Sequence, residues 1–226
     1  MGRTRSDLHR LSAHVLGRRR YAVSGHFGLR SSADGIVTPA FGPEPEALRL
    51  TPACLIREVG TSSSSMALGG ATLAALAQFA GADLGAEFSA GPGTPAPGAV
   101  DEPLELDPTE LGALFSWFDL GWRVIDEVVA ERSGRCRQST VQLWPEHLDV
   151  GTSLEGLGAG GGVNLGFSAG DALSEEPYAY VGPWGAERPG DDGYWNAPFG
   201  ALMTRTEVRD AAGGVAFMRT GLDRLL

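Results

Sequence analysis

The chain predicts an α+β fold in which a largely antiparallel sheet is packed by a long amphipathic helix and shorter helices. Three features carry that expectation. Segments of period-two hydrophobicity come in consecutive runs, near residues 21–59 and again at 140–182, instead of alternating singly with helices. Between the runs, Leu111, Leu114, Phe115, Phe118, Trp122, Ile125 and Val129 recur on one helical face. At 226 residues, with 42% hydrophobic and 20% charged residues, the chain is long and apolar enough to build a core without disulfides or metal. A single domain over 1–226 is the expectation, with surface loops near 60–70 and 89–104.

Taken in order, Ser6 can cap a first helix whose stripe is Leu8, Leu11, Val15 and Leu16, ending near Gly17 to Arg20. From Tyr21 the period changes to two, with Tyr21, Val23, Gly25, Phe27 and Leu29 on one face of an expected strand. Ala33-Asp34-Gly35 signals a turn, with Ile36 to Thr38 as the second arm of a hairpin. Strands follow at Ala47–Leu50 and Cys54–Val59, and the serine run Ser62 to Ser65 reads as loop. Thr72 starts a short alanine-rich helix that ends at Gly81. The proline- and glycine-rich stretch Gly91 to Gly98 reads as a surface connection. The long helix, about 107–132, opens with Asp107 three residues before Glu110 and with Pro108 at its first position. Strands are then expected at Thr140–Val150, Gly162–Ser168 and Tyr178–Gly182, and a helix at Val215–Leu226.

Composition removes several classes of function. All 18 basic residues are arginine, so a lysine Schiff base, a phosphate-loop lysine and a lysine general base are excluded. A net charge of −10 disfavours nucleic acid as a partner, although seven arginines against one acid in residues 1–30 could dock an anion or pair internally. No apolar run is long enough to span a bilayer, and no apolar block follows the basic N-terminus, so a cytoplasmic protein is expected. Cys54 and Cys136 lie far apart and read as reduced structural thiols.

Several motifs fail on physical grounds. Gly156 to Gly161 has the G-x-G-x-x-G spacing of dinucleotide sites, but a strand-like segment follows where a helix N-terminus is required. Gly166-Phe167-Ser168-Ala169-Gly170 has nucleophile-elbow spacing, yet all four histidines precede Ser168, against the order of that family. His147 and Asp149 would share one face of a strand and could begin a metal site, but only His26 could supply a third ligand, so no metal and no cofactor is assigned. Glu146 and Asp149, with Asp171, Glu175, Glu176, Asp191 and Asp192, suggest paired carboxylates for glycoside chemistry. Trp144, Trp184 and Trp195 would suit stacking on sugars, but acids in glycine-rich loops are usually turn formers.

Leu8 to Phe27, Val141-Gln142-Leu143-Trp144-Pro145-Glu146-His147-Leu148-Asp149, Val163 to Phe167, Tyr178 to Trp184 and Trp195 to Gly200 together resemble an uncharacterised family of bacterial proteins. That resemblance implies one intact cytoplasmic domain and carries over no catalytic residue. From the residues themselves, the expected site is a small-molecule pocket lined by Trp144, Tyr180, Trp184, Trp195 and Asn196. Glu146, His147 and Asp149 would supply its polar contacts or proton transfer, with enzymatic activity left open. The alternative is a non-catalytic interaction or oligomerisation module built from the same aromatic loops.

Overall fold

The computed structural model describes residues 2–156, 161–190 and 193–226. Two compact units emerge, Met1–Ser116 with Leu143–Leu148, and Trp117–Gln142 with Asp149–Leu226. Both combine helices with an antiparallel sheet, the α+β class that the hydrophobic periods predict.

In the first unit, α1 (Gly2–Leu11) runs into a π-helical turn, Ser12–Gly17, and on into α2 (Arg18–Ser24). Leu8, Leu11, Ala13, Val15 and Leu16 are fully buried on this helix. Strands β1 (Arg30–Ser32), β2 (Gly35–Val37), β3 (Glu46–Leu50), β4 (Cys54–Val59) and β5 (Ser62–Ala67) form an antiparallel meander in that order. The alternating burial of Glu46–Leu50 points Leu48 and Leu50 into the core. Glu46, buried at one end of β3, is bonded by Arg19 from α2 and Arg57 from β4. Burial opposes its ionisation, but the two guanidinium hydrogen bonds outweigh it and hold the carboxyl below the usual range. Helix α3 (Leu73–Ala80) is capped by the Thr72 hydroxyl, stops at left-handed Gly81 and packs against the π-helical turn.

Helix α4 (Pro108–Ala130) carries the chain into the second unit, where β6 (Arg137–Gln138) follows, and β7 (Gln142–Trp144) leads back into the first. Strands β8 (Asp149–Glu155), β9 (Gly162–Ser168), β10 (Tyr178–Pro183) and β11 (Ala201–Thr204) pair antiparallel in sequence, with β6 on the outer side of β8. Val150, Leu154, Val163, Leu165, Phe167, Ala179 and Val181 alternate onto one face and are buried. The Trp117 ring of α4 packs on Phe167 at 4.7 Å, and its indole N–H donates to the Ser168 carbonyl at 2.8 Å. After the short α5 (Arg205–Val208), α6 (Ala211–Leu225) covers the same face, with Gly214 against Val124 and Phe167 and Gly221 against Val181.

Four expectations are corrected. Tyr21 to Ser24 are helical, because nothing stops the helix before Gly25, whose left-handed φ of 71° ends it. Gly17 is no stop; it is a site of close approach, where a Cβ would lie 3.2 Å from Pro145. Ser62 to Ser65 form part of β5, in unbroken register with β4, instead of a loop. The expected strand 140–150 is interrupted: the Trp144 carbonyl accepts from the amides of His147 and Leu148, and Leu148 turns the chain with a φ of 53°. His147 and Asp149 therefore do not share a strand face.

Two glycines of α4 should respond in opposite directions to alanine. At Gly121 a Cβ would lie 2.5 Å from Phe167 Cγ, so Gly121→Ala is expected to cost about 1–3 kcal/mol in urea unfolding. At Gly112 a Cβ meets nothing within 4 Å, so Gly112→Ala should stabilise by about 0.5–1 kcal/mol. Effects of equal sign would contradict the packing of α4 on Phe167.

Candidate functional site

The expected site residues fall in two places. Trp144, Glu146 and His147 belong to the first unit, and Asp149, Tyr180, Trp184, Trp195 and Asn196 to the second. All four histidines lie in the first unit, so the second has none to activate Ser168.

In the first unit the turn after β7 lies beside α1 and the 91–95 loop. Trp144 meets Phe27 at 6.4 Å, and Phe27 meets Tyr21, which in turn meets Phe88. Glu146 is buried, while His147 is exposed with its ring against Gly93, where a Cβ would sit 2.5 Å from Nδ1. His9 lies near the backbone of Pro145 and Glu146, with its Nε2 buried and without a hydrogen-bond partner among the described residues. Ser12, fully buried one turn along, likewise leaves its hydroxyl unpartnered among the described residues. His14 has a defined tautomer: Nε2 lies 2.6 Å from the Pro95 carbonyl, which can only accept, so Nε2 carries the proton. Its Nδ1 then accepts from Arg18 at 3.2 Å. Arg18 is buried, donates to the Asp83 and Ala86 carbonyls and lies over the Phe88 ring at 5.1 Å. Arg3, Arg10, Arg19 and Arg20 are likewise bonded to acids or carbonyls of the first unit, so the basic N-terminal segment sutures the helix to its surroundings.

In the second unit, residues opposite to the helix-packed face form successive rows across β8, β9 and β10. Ser168 stands between Asp149 and Tyr178, Gly166 between Gly151 and Tyr180, and Asn164 between Ser153 and Gly182. The glycines are required by the rings. A Cβ at Gly166 would collide with the Tyr180 ring, and one at Gly162 would lie 2.7 Å from Trp184. Tyr180 donates its hydroxyl to Asp149 Oδ2, and Tyr178 donates to Asp171 at 2.7 Å. Burial first, then the Asp149 charge and this hydrogen bond, push the Tyr180 phenol far above its ordinary range. It stays a neutral donor.

At the outer end of that face, Asn164 Oδ1 accepts from Ser153 Oγ at 2.9 Å and from Trp184 Nε1 at 2.8 Å. Trp184 as a residue is 50% exposed. Beyond it, Arg137 of β6 is paired with Glu155 of β8. Trp195 and Asn196 form a different cluster. Trp195 donates to the Pro189 carbonyl, packs on Tyr194 at 4.8 Å and lies under Arg188. Both amide atoms of Asn196 are taken by the Leu202 backbone.

Of the expected residues, Asp149 and Tyr180 are brought into direct contact, and Trp184 joins them on one sheet face. Asp191, Asp192 and residues 157–160 of the glycine motif lie outside the described residues. Asn164 and Ser153 were missed in the sequence; the signal available was a polar residue between Val163 and Leu165 on an otherwise apolar strand. His9, His14 and Ser12 were hidden by the apolar stripe they interrupt. Among the described residues, no group of three or more His, Cys, Asp or Glu side chains is placed to hold a metal ion, and no helix is long and apolar enough to cross a membrane.

No protein family, no curated protein and no solved structure matches the chain.

Buried His14 and half-buried His9 make stability depend on pH. Burial first, then Arg18 and Arg10, lowers the pKa of His14, and burial first lowers that of His9, both from 6.5. Above that value both rings are neutral in the folded and unfolded chain. Below it the unfolded chain takes up protons that the folded one refuses, so stability falls as pH drops toward the folded values. The urea midpoint should therefore decline from pH 7 to pH 5, and decline less in the His9→Gln, His14→Gln double variant. An identical decline in both proteins would contradict this assignment.

Proposed function

We propose that the protein binds a small molecule on the polar face of its second sheet, with Trp184 as the stacking surface and Asn164 as the donor beside it. The observation that carries this reading is the double use of Asn164 Oδ1. An indole N–H can only donate, so the amide cannot be turned over, and Nδ2 must be the atom left for a ligand. Asn164 is exposed, and its Nδ2 makes no hydrogen bond among the described residues. Binding to such a face orders little that is not already ordered. The indole is seated on Gly162 and held by its own N–H, which reduces the entropy a ligand must offset.

Asp149 and Tyr180 support this face from the next rows: the hydroxyl-to-carboxylate hydrogen bond fixes the ring that lies over Gly166. The proposal is one of binding and assigns no reaction to Glu146, His147 or Asp149. The half-exposed Trp184 also supports the alternative of a protein-contact surface, since an exposed aromatic edged by polar groups suits an interface rim or core.

The test is a titration of small ring-bearing molecules followed by tryptophan fluorescence and thermal shift, on the parent protein and on Trp184→Ala. A saturable response weakened at least tenfold, about 1.4 kcal/mol, by the substitution is expected. A response that survives Trp184→Ala unchanged would overturn the site. A lower molecular mass of Trp184→Ala in light scattering, with no ligand response in either protein, would favour the contact surface instead.

A further inference from the structure

We infer that the ligand is a saccharide, taken as a pyranose ring stacked on Trp184; the inference rests on the binding reading above and names its chemical class. The argument starts from what the rim offers. Asn164 Nδ2 supplies two N–H donors next to the indole N–H edge, because its own Oδ1 is already bonded to that edge. Ser153 spends its proton on Asn164 and keeps oxygen lone pairs that can accept. Glu155 Oε2 receives both the Nε and an Nη of Arg137, leaving Oε1 as an acceptor and Arg137 Nη1 as a donor.

These groups share one face of the sheet. Arg137 is opposite Glu155, Glu155 is opposite Gly162, and the Trp184 ring covers Gly162. Ser153 and Asn164 occupy the neighbouring row. From Gly162 to β6 is two strand spacings, about 10 Å, the scale of one sugar ring with its substituents.

The mixture selects among ring-bearing ligands. A planar aromatic acid needs donors and a free cation against the stack, but the cation in the Glu155 row, Arg137, is already paired with Glu155, and Arg135 lies beyond them in the turn before β6. A nucleobase presents its donors and acceptors in the plane of the ring at a few edge atoms, whereas the groups here are spread over two rows of the sheet around the indole. A pyranose presents C–H groups to an indole face and, around its equator, hydroxyls that both donate and accept. A single pyranose can use Asn164 Nδ2, Ser153 Oγ and Glu155 Oε1 together with the exposed indole.

Two-dimensional 15N–1H spectra read the site directly, through the Trp184 indole N–H and the Asn164 side-chain amide. Methyl β-glucopyranoside, methyl α-mannopyranoside, sorbitol, a purine nucleoside and benzoate are titrated in turn. The expected result is a saturable shift of both signals with at least one methyl pyranoside, absent with sorbitol, which has hydroxyls but no ring. Glu155→Gln, which loses the charged acceptor, should weaken that binding several-fold. Saturable shifts with the nucleoside or benzoate alone would overturn the saccharide class while leaving the stacking site standing. No shift with any of the five compounds would overturn both.

Discussion

Strict alternation along β8, β9 and β10 is the constraint on which the second unit depends. Val150, Leu154, Val163, Leu165, Phe167, Ala179 and Val181 must all face α4 and α6, because burying those side chains is the main favourable term available to this sheet. Phe167 is the pivot: it fills the space left by Gly121 and Gly214, one from each covering helix, and Trp117 closes over it. Once that face is committed, a period of two leaves Asp149, Gly151, Ser153, Gly162, Asn164, Gly166, Ser168, Tyr178 and Tyr180 no choice but the other side. A slip of one residue would bury the polar set and expose the apolar one.

The polar face is itself layered. Glycines on β8 and β9 create the room, and rings from β10 and the chain just after it lie on them, Tyr180 over Gly166 and Trp184 over Gly162. Each ring is then pinned by its polar tip, Tyr180 to Asp149 and Trp184 to Asn164. The two pins differ in consequence. Asp149 is buried and Tyr180 is half-buried over Gly166, so that pair is part of the architecture. Asn164 and Trp184 are exposed, so the second pair combines a fixed orientation with access to solvent.

Much of the fold was legible because its strongest signals are periodic. The α4 stripe and the alternation of Val163 to Phe167 and Tyr178 to Val181 mark helix and strands directly. The errors came where a local signal competed with packing. Tyr21, Val23, Gly25 and Phe27 alternate like a strand, yet a helix already nucleated upstream continues to the first residue able to take a left-handed φ. The serine run resembles a loop by composition, but pairing with β4 supplies what propensity lacks. The Trp144 to Asp149 segment gathers chemically interesting residues in sequence, and a turn at Pro145–Leu148 then separates them. The Asp149 contact with Tyr180 joins residues 31 apart in sequence and depends on register, which no short motif encodes.

The most direct measurement is the affinity of Asn164→Asp for a methyl pyranoside, alongside the chemical shift of its Trp184 indole N–H. Aspartate keeps an oxygen for Ser153 and Trp184 to donate to and replaces the two Nδ2 donors with a charged acceptor. The account predicts an indole signal close to that of the parent protein and binding weakened at least tenfold, about 1.4 kcal/mol. Undiminished binding in this variant would contradict it.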